Sequence, residues 1–127
     1  MEIYREILPE SYLLILVDEA LPTAPSETVL HQALSRAARS GKGSVWVDCS
    51  SLHQLPAHAA ALLTRYGRKL NRQGVSLILC HLSEAVRKEL LTQDPALAPL
   101  IVPTLLDAQQ YCQQRINHVW APQRLAG

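Results

Sequence analysis

Two short apolar runs decide most of what this chain can fold into. One lies within Ser44 to Asp48 and centres on Val45-Trp46-Val47; the other is Val75 to Cys80. Both are strand-length, bounded by turn-forming residues, and apolar throughout, which predicts strands buried on both faces. Each is followed by a break and then by apolar residues at helical spacing. Strands followed by helices in this way are parallel neighbours joined by right-handed crossovers. The chain is therefore expected to be an α/β protein.

The remaining elements fall around that pair. Residues 2–8 alternate loosely and predict a first strand. Pro9-Glu10-Ser11 is a turn signal, and Tyr12 to Val17 predicts a second, more central strand in antiparallel register with the first. Asp18 to Pro25 holds two prolines and no periodicity, so it reads as a loop. Ser26 is expected to cap a helix buried through Val29, Leu30, Ala33, Leu34 and Ala37. A second helix, from about Pro56 to Arg72, buries Ala59, Leu62, Leu63, Tyr66 and Leu70, with Gly67 inside it unexplained. Ser83 caps a third, Glu84 to Leu91, with Val86, Leu90 and Leu91 inward. Ile101-Val102 is a brief fifth strand at best. Thr104 and Asp107 resemble a capping box opening a last helix to about Asn117, with Leu105, Ala108, Cys112 and Tyr111 or Ile116 inward. The expected architecture is a mixed four- to five-stranded sheet with about four helices, one domain over residues 1–117 and a tail at 118–127. In that tail Trp120 either packs back on the sheet or marks a homodimer contact.

Composition narrows the function. The 127 residues are long enough to bury a core without staples, and 48% of them are apolar. A formal charge of +1 gives no electrostatic case for nucleic acid or for a membrane surface. Arg65, Arg68, Lys69 and Arg72 share one arc of the second helix and read as a solvated face. Cys49, Cys80 and Cys112 are odd in number and unpatterned, which suits reduced thiols in a cytoplasmic protein. Gly41-Lys42-Gly43 is too short for a phosphate loop and precedes a strand instead of following one.

Function is expected where the strand at 44–48 gives way to the helix at 56, since loops at the carboxyl ends of strands are where α/β proteins meet ligands and partners. Asp48 is positioned to accept backbone N–H bonds at the strand end. No partner acid or nucleophile at a recognised spacing accompanies it, so no catalytic residue and no enzyme activity are expected. Ser50 and Ser51 read as turn-forming serines, with phosphoacceptors as the alternative. Cys49, His53, His58, Cys80 and His81 converge on one edge of the predicted sheet, but Cys49-x3-His53-x4-His58 and Cys80-His81 fit no structural zinc spacing. Neither metal nor cofactor is expected. Pro56 suits a first helical position and Leu55 offers no capping oxygen, leaving N–H groups that would suit an anion such as a nucleotide phosphate.

Val47-Asp48-Cys49-Ser50-Ser51-Leu52 and its sequel resemble a STAS domain, the family of anti-sigma factor antagonists and sulfate-transporter tails. Asp48-Cys49-Ser50 sits on the family's Asp-Leu-Ser. Gln73-Gly74-Val75-Ser76-Leu77-Ile78-Leu79-Cys80 matches its Gly-led fourth strand, and His81 to Leu91 resembles the following loop and helix. The similarity spans roughly residues 3–117. It implies a non-enzymatic, cytoplasmic protein-interaction module of bacterial-type signalling and transcription regulation, whose partner is an anti-sigma factor or another signalling protein. The implied partner-binding or switch loop comprises Cys49, Ser50, Ser51, His53, Pro56, Ala57 and His58.

One departure stands out. Where the family has Asp-Ser-Ser-Gly, this chain has Pro56-Ala57-His58-Ala59. In phosphorylated members the serine there is the switch, because a phosphate adds about −1.5 to −2 charges beside the helix N-terminus. The usual serine switch is therefore expected to be missing.

Overall fold

The computed structural model describes residues 1–18, 26–93 and 99–114. In chain order these form β1 (Glu2–Ile7), β2 (Ser11–Val17), α1 (Ser26–Ala38), β3 (Ser44–Ser51), α2 (Ala57–Arg72), β4 (Ser76–Cys80), α3 (Glu84–Leu91) and β5 (Leu100–Val102). A last helix, α4, runs from residue 105 through 114 within the described range. The five strands make one sheet in sequence order, β1-β2-β3-β4-β5. β1 is antiparallel to β2, and every later pairing is parallel, so the sheet is mixed as the opening hairpin implied.

Helices cover the two faces unequally. Tyr12, Leu14 and Leu16 of β2, Val45, Val47 and Cys49 of β3, and Leu77 and Leu79 of β4 belong to one core, together with Leu30 and Leu34 of α1, Leu63 and Leu70 of α2, and Val86 and Leu90 of α3. Alternate residues turn to the opposite face. There Leu13, Trp46 and Ile78 pack with Ala108 of α4, flanked by Ile15, Val102, Leu105, Tyr111 and Cys112. This alternation follows from the two-residue period of a strand. Burial on both faces explains why Val45-Trp46-Val47 of β3 and Leu77-Ile78-Leu79 of β4 are apolar without a break.

Local chemistry accounts for most boundaries. Asp107 accepts from both the N–H (3.0 Å) and the hydroxyl (2.7 Å) of Thr104, while its own N–H donates to Thr104 Oγ1 (3.2 Å), so the capping box at the start of α4 forms as expected. Ser83 Oγ accepts from the N–H of Val86 and opens α3. Gly74 takes φ 77° after α2, the left-handed conformation a helix end favours in glycine. Gly67 has a packing reason: a Cβ built on it would lie 3.2 Å from Pro99 Cγ and 3.7 Å from Leu77 Cδ2. The glycine lets the residue preceding β5 close onto α2.

Three expectations need correction. β3 does not stop at Asp48 but continues to Ser51, because β2 resumes pairing after an irregularity, with Ile15 opposite Asp48 and Val17 opposite Ser51. β3 thus spends one extra residue there, as in a β-bulge. α2 begins at Ala57, with Pro56 as its N-cap residue at φ −58° and ψ 148°. Leu91 is exposed, since Val86 and Leu90, four residues apart, already define the buried stripe of α3. The capping role expected of Ser26, Ile116 and the tail with Trp120 lie outside the described side chains. Among the described residues no helix is long and apolar enough to cross a membrane.

Candidate partner-docking site

The carboxyl ends of the parallel strands meet the start of α2 at one end of the sheet. Asp48 organises this corner. Its Oδ1 accepts from the N–H of Ser50 at 2.9 Å, holding β3 through the irregularity. That is the anchoring role its position at the strand end suggests. Asp18, just past β2, does the same for the next segment. Its N–H donates to the Ser51 carbonyl (3.3 Å), and its Oδ2 takes both the backbone N–H of His53 (2.7 Å) and an Nδ1 contact from the same residue (2.8 Å). Leu52 and Leu55 are buried between the exposed positions, pinning the loop to the core beneath it.

The predicted site residues separate into two groups. Ser50, Ser51, His53, Ala57 and His58 are exposed, and Pro56 is half-buried, so they share an accessible rim. Cys49 does not join them. It is 1% exposed, on the face of β3 packed by α1–α3, because the strand runs past it and alternation turns it inward. Among the described residues neither Ser50 nor Ser51 has a hydroxyl partner. They are the two central residues of a turn closed by the Leu52 N–H on the Cys49 carbonyl (3.0 Å), which leaves both hydroxyls on the outside.

The thiols are chemically quiet. Burial pushes Cys49 up to about 12, with Cys80 and Asp48 adding to the effect. Burial likewise pushes Cys80 up to about 12, with Asp48 as the second cause. A thiol held so far above its ordinary value carries almost no nucleophilic thiolate near neutral pH. This speaks against thiol catalysis at the corner.

The start of α2 is bare. Pro56 provides no side-chain cap, and the first turn contains no acidic residue. The N–H groups of Ala57 and His58 have no acceptor among the described residues, while those of Ala59 and Ala60 both reach the Pro56 carbonyl. Arg65, Arg68, Lys69 and Arg72 are all exposed, as a solvated arc requires. A separate cleft of about 270 Å³ lies between β1, β2 and α1, with Arg5, Tyr12, Gln32 and Arg36 among its lining residues.

By sequence the chain matches no family model and no curated relative. By structure it aligns with an RsbS variant from Moorella thermoacetica at a TM-score of 0.70 and 13% identity, covering 90% of this chain and 99% of that one. The fold is STAS-type. The anti-sigma factor antagonist SpoIIAA in its unphosphorylated form aligns at 0.63 and 15% identity over 91% of this chain and 98% of its own. A chain of the stressosome, described as a signal integration and transduction hub, aligns at 0.64 and 14% identity over 87% and 98%. The STAS-type fold places the rim of Ser50, Ser51, His53, Ala57 and His58 at the strand-three-to-helix-two junction. That is the junction at which the sequence resemblance departs from the family pattern.

Proposed function

We propose that this chain is a non-enzymatic interaction module that docks a signalling protein through the rim at 50–58, and that it does so without the usual serine switch. The observation that carries the reading is the construction of that rim. Its backbone is fixed by two carboxylates, Asp48 and Asp18, and its buried Leu52 and Leu55 hold it down, yet its outward side chains stay exposed, including the His53 ring that also touches Asp18. A preorganised loop loses little entropy on binding, which is what a docking surface needs. The structural neighbours support the class, since they are described as an anti-sigma factor antagonist and as part of a signalling hub. The partner we infer is an anti-sigma factor or a comparable signalling protein, met in the cytoplasm.

The missing switch rests on Pro56-Ala57-His58, none of which takes a phosphoryl group as serine does. The test is phosphotransfer to the purified chain by a serine-kinase-type anti-sigma partner. No incorporation is expected. Incorporation abolished by Ser50→Ala or Ser51→Ala would refute constitutive action and make this exposed pair a displaced switch.

A second reading is favoured by the bare start of α2. Free N–H groups at a helix N-terminus suit an anion, and a nucleotide phosphate there would make the chain a small-ligand sensor. Thermal-shift measurements with nucleotides and inorganic phosphate separate the two readings. A saturable rise in Tm favours the sensor, and its absence favours the interaction module.

A further inference from the structure

The corner described above contains a second arrangement that neither docking nor the fold requires. Asp48, Cys80 and His81 each offer one ligand atom, and these atoms all lie within 4.8 Å of one another. We propose that the three side chains form a zinc site at the carboxyl ends of β3 and β4, on the face of the sheet that α4 covers.

Register and backbone conformation build this cluster together. Asp48 and Cys80 are direct partners in the β3–β4 ladder, and both share the strand parity of Trp46 and Ile78. His81 follows Cys80 in sequence, and in a continuing strand it would point to the opposite face. It does not continue the strand. Its φ is 57°, the left-handed region that non-glycine residues seldom occupy, and this breaks the alternation. The turn brings the imidazole to the same side as the Cys80 sulfur. The His81 N–H donates to the Pro103 carbonyl at 3.1 Å, which holds the turned residue against the end of β5.

The donor chemistry suits zinc. Thiolate sulfur, imidazole nitrogen and carboxylate oxygen are its three protein ligand types, so the ion would displace the Cys80 thiol proton to solvent on binding, and three protein ligands leave a fourth tetrahedral position open. Bonds of about 2.0–2.3 Å set one sulfur, one nitrogen and one oxygen donor about 3.3–3.6 Å apart in a tetrahedron, so closing the cluster draws its atoms together from within 4.8 Å and releases the Cys80 S–H from the Val47 carbonyl, now 3.4 Å away. Outer support is in place as well. Asp48 Oδ1 is already fixed by the Ser50 N–H, while Oδ2 has no partner among the described residues and is free to ligate. An outer hydrogen bond that orients a ligand is what metal sites commonly use. Cys80 is fully buried, whereas Asp48 and His81 are half-buried, so an ion has a route in from the sheet end. Once bound, it would clamp β3 to β4 beside the docking rim, with its fourth position turned to water or to a partner's donor. The proposal does not depend on the docking reading.

The experiment uses the full chain, stripped of metal with a chelator and titrated with Zn²⁺ by calorimetry and with Co²⁺ by absorption. One equivalent of Zn²⁺ is expected to bind, and Co²⁺ should give visible bands of tetrahedral intensity with a sulfur-to-cobalt charge-transfer band. Asp48→Asn, Cys80→Ala and His81→Gly should each weaken binding at least about tenfold, the lower bound of what even outer partners contribute. His81→Gly keeps the left-handed backbone, so it removes the ligand without disturbing the fold. His53→Ala and Cys112→Ala should bind as the parent does. Absence of stoichiometric binding by the parent, binding that survives Cys80→Ala, or a Co²⁺ spectrum without the sulfur band would each overturn the site.

Discussion

His53 and Asp18, thirty-five residues apart, meet at a single oxygen: Asp18 Oδ2 receives both the His53 backbone N–H at 2.7 Å and its Nδ1 at 2.8 Å. The contact ties the segment leaving β3 to the segment leaving β2, so the docking rim takes its shape from two strand ends at once. His53 itself is 88% exposed, so the bond to its backbone is the structural part and the imidazole is left accessible. Asp18→Ala should therefore loosen the loop without unfolding the domain. We expect a loss of about 1 kcal/mol in denaturant unfolding and faster hydrogen exchange at the His53 amide. Asp18→Asn, which keeps an acceptor oxygen, should retain most of that protection.

Gly67 offers a test of packing against propensity. Alanine at an exposed helical glycine ordinarily gains about 1 kcal/mol. Here its Cβ would sit 3.2 Å from Pro99 Cγ, closer than relaxed packing allows. Gly67→Ala is expected to give no gain in urea unfolding. In a Pro99→Ala background the same change should recover the helix gain of about 1 kcal/mol, and a gain in the parent chain would contradict the close approach.

The thiols predict both reactivity and pH response. Cys112 is half-buried, while Cys49 and Cys80 are buried and raised to about 12. Alkylation near neutral pH, read by mass spectrometry in the presence of chelator, should label Cys112 first and leave the other two until unfolding. The sign of the stability effect follows from the same shift. Above the unfolded thiol value of about 9 the unfolded chain loses protons that the folded chain keeps. The contribution of the two thiols is full below pH 9 and falls as pH rises toward 12, and Cys49→Ala should flatten that fall in chelator-treated protein.

The order of elements was legible because the centres of β3 and β4, Val45-Trp46-Val47 and Leu77-Ile78-Leu79, are apolar without interruption and because Thr104 and Asp107 mark the start of α4 in chemistry as well as in pattern. The corner was less so. Cys49-Ser50-Ser51 reads as loop in isolation, and only pairing with Val17 across the irregularity keeps it in β3. That one misplacement put Cys49 on the surface when alternation buries it. The Asp48, Cys80 and His81 cluster is invisible to spacing for a different reason. Its ligands come from two strands, and the third reaches the site through a left-handed φ that no residue type announces. Likewise nothing near Gly67 in sequence points to Pro99, which arrives from beyond α3.

The docking role of the rim turns on where a partner lands. The most direct measurement is amide chemical-shift mapping of the isotope-labelled full chain, titrated with a serine-kinase-type anti-sigma factor. The largest perturbations are expected at Ser50, Ser51, His53, Ala57 and His58, with weaker effects at Asp18, and a His53→Ala/His58→Ala variant should lose them. Perturbations confined to the cleft of Arg5 and Arg36, or a double variant that binds as well as the parent, would contradict the account.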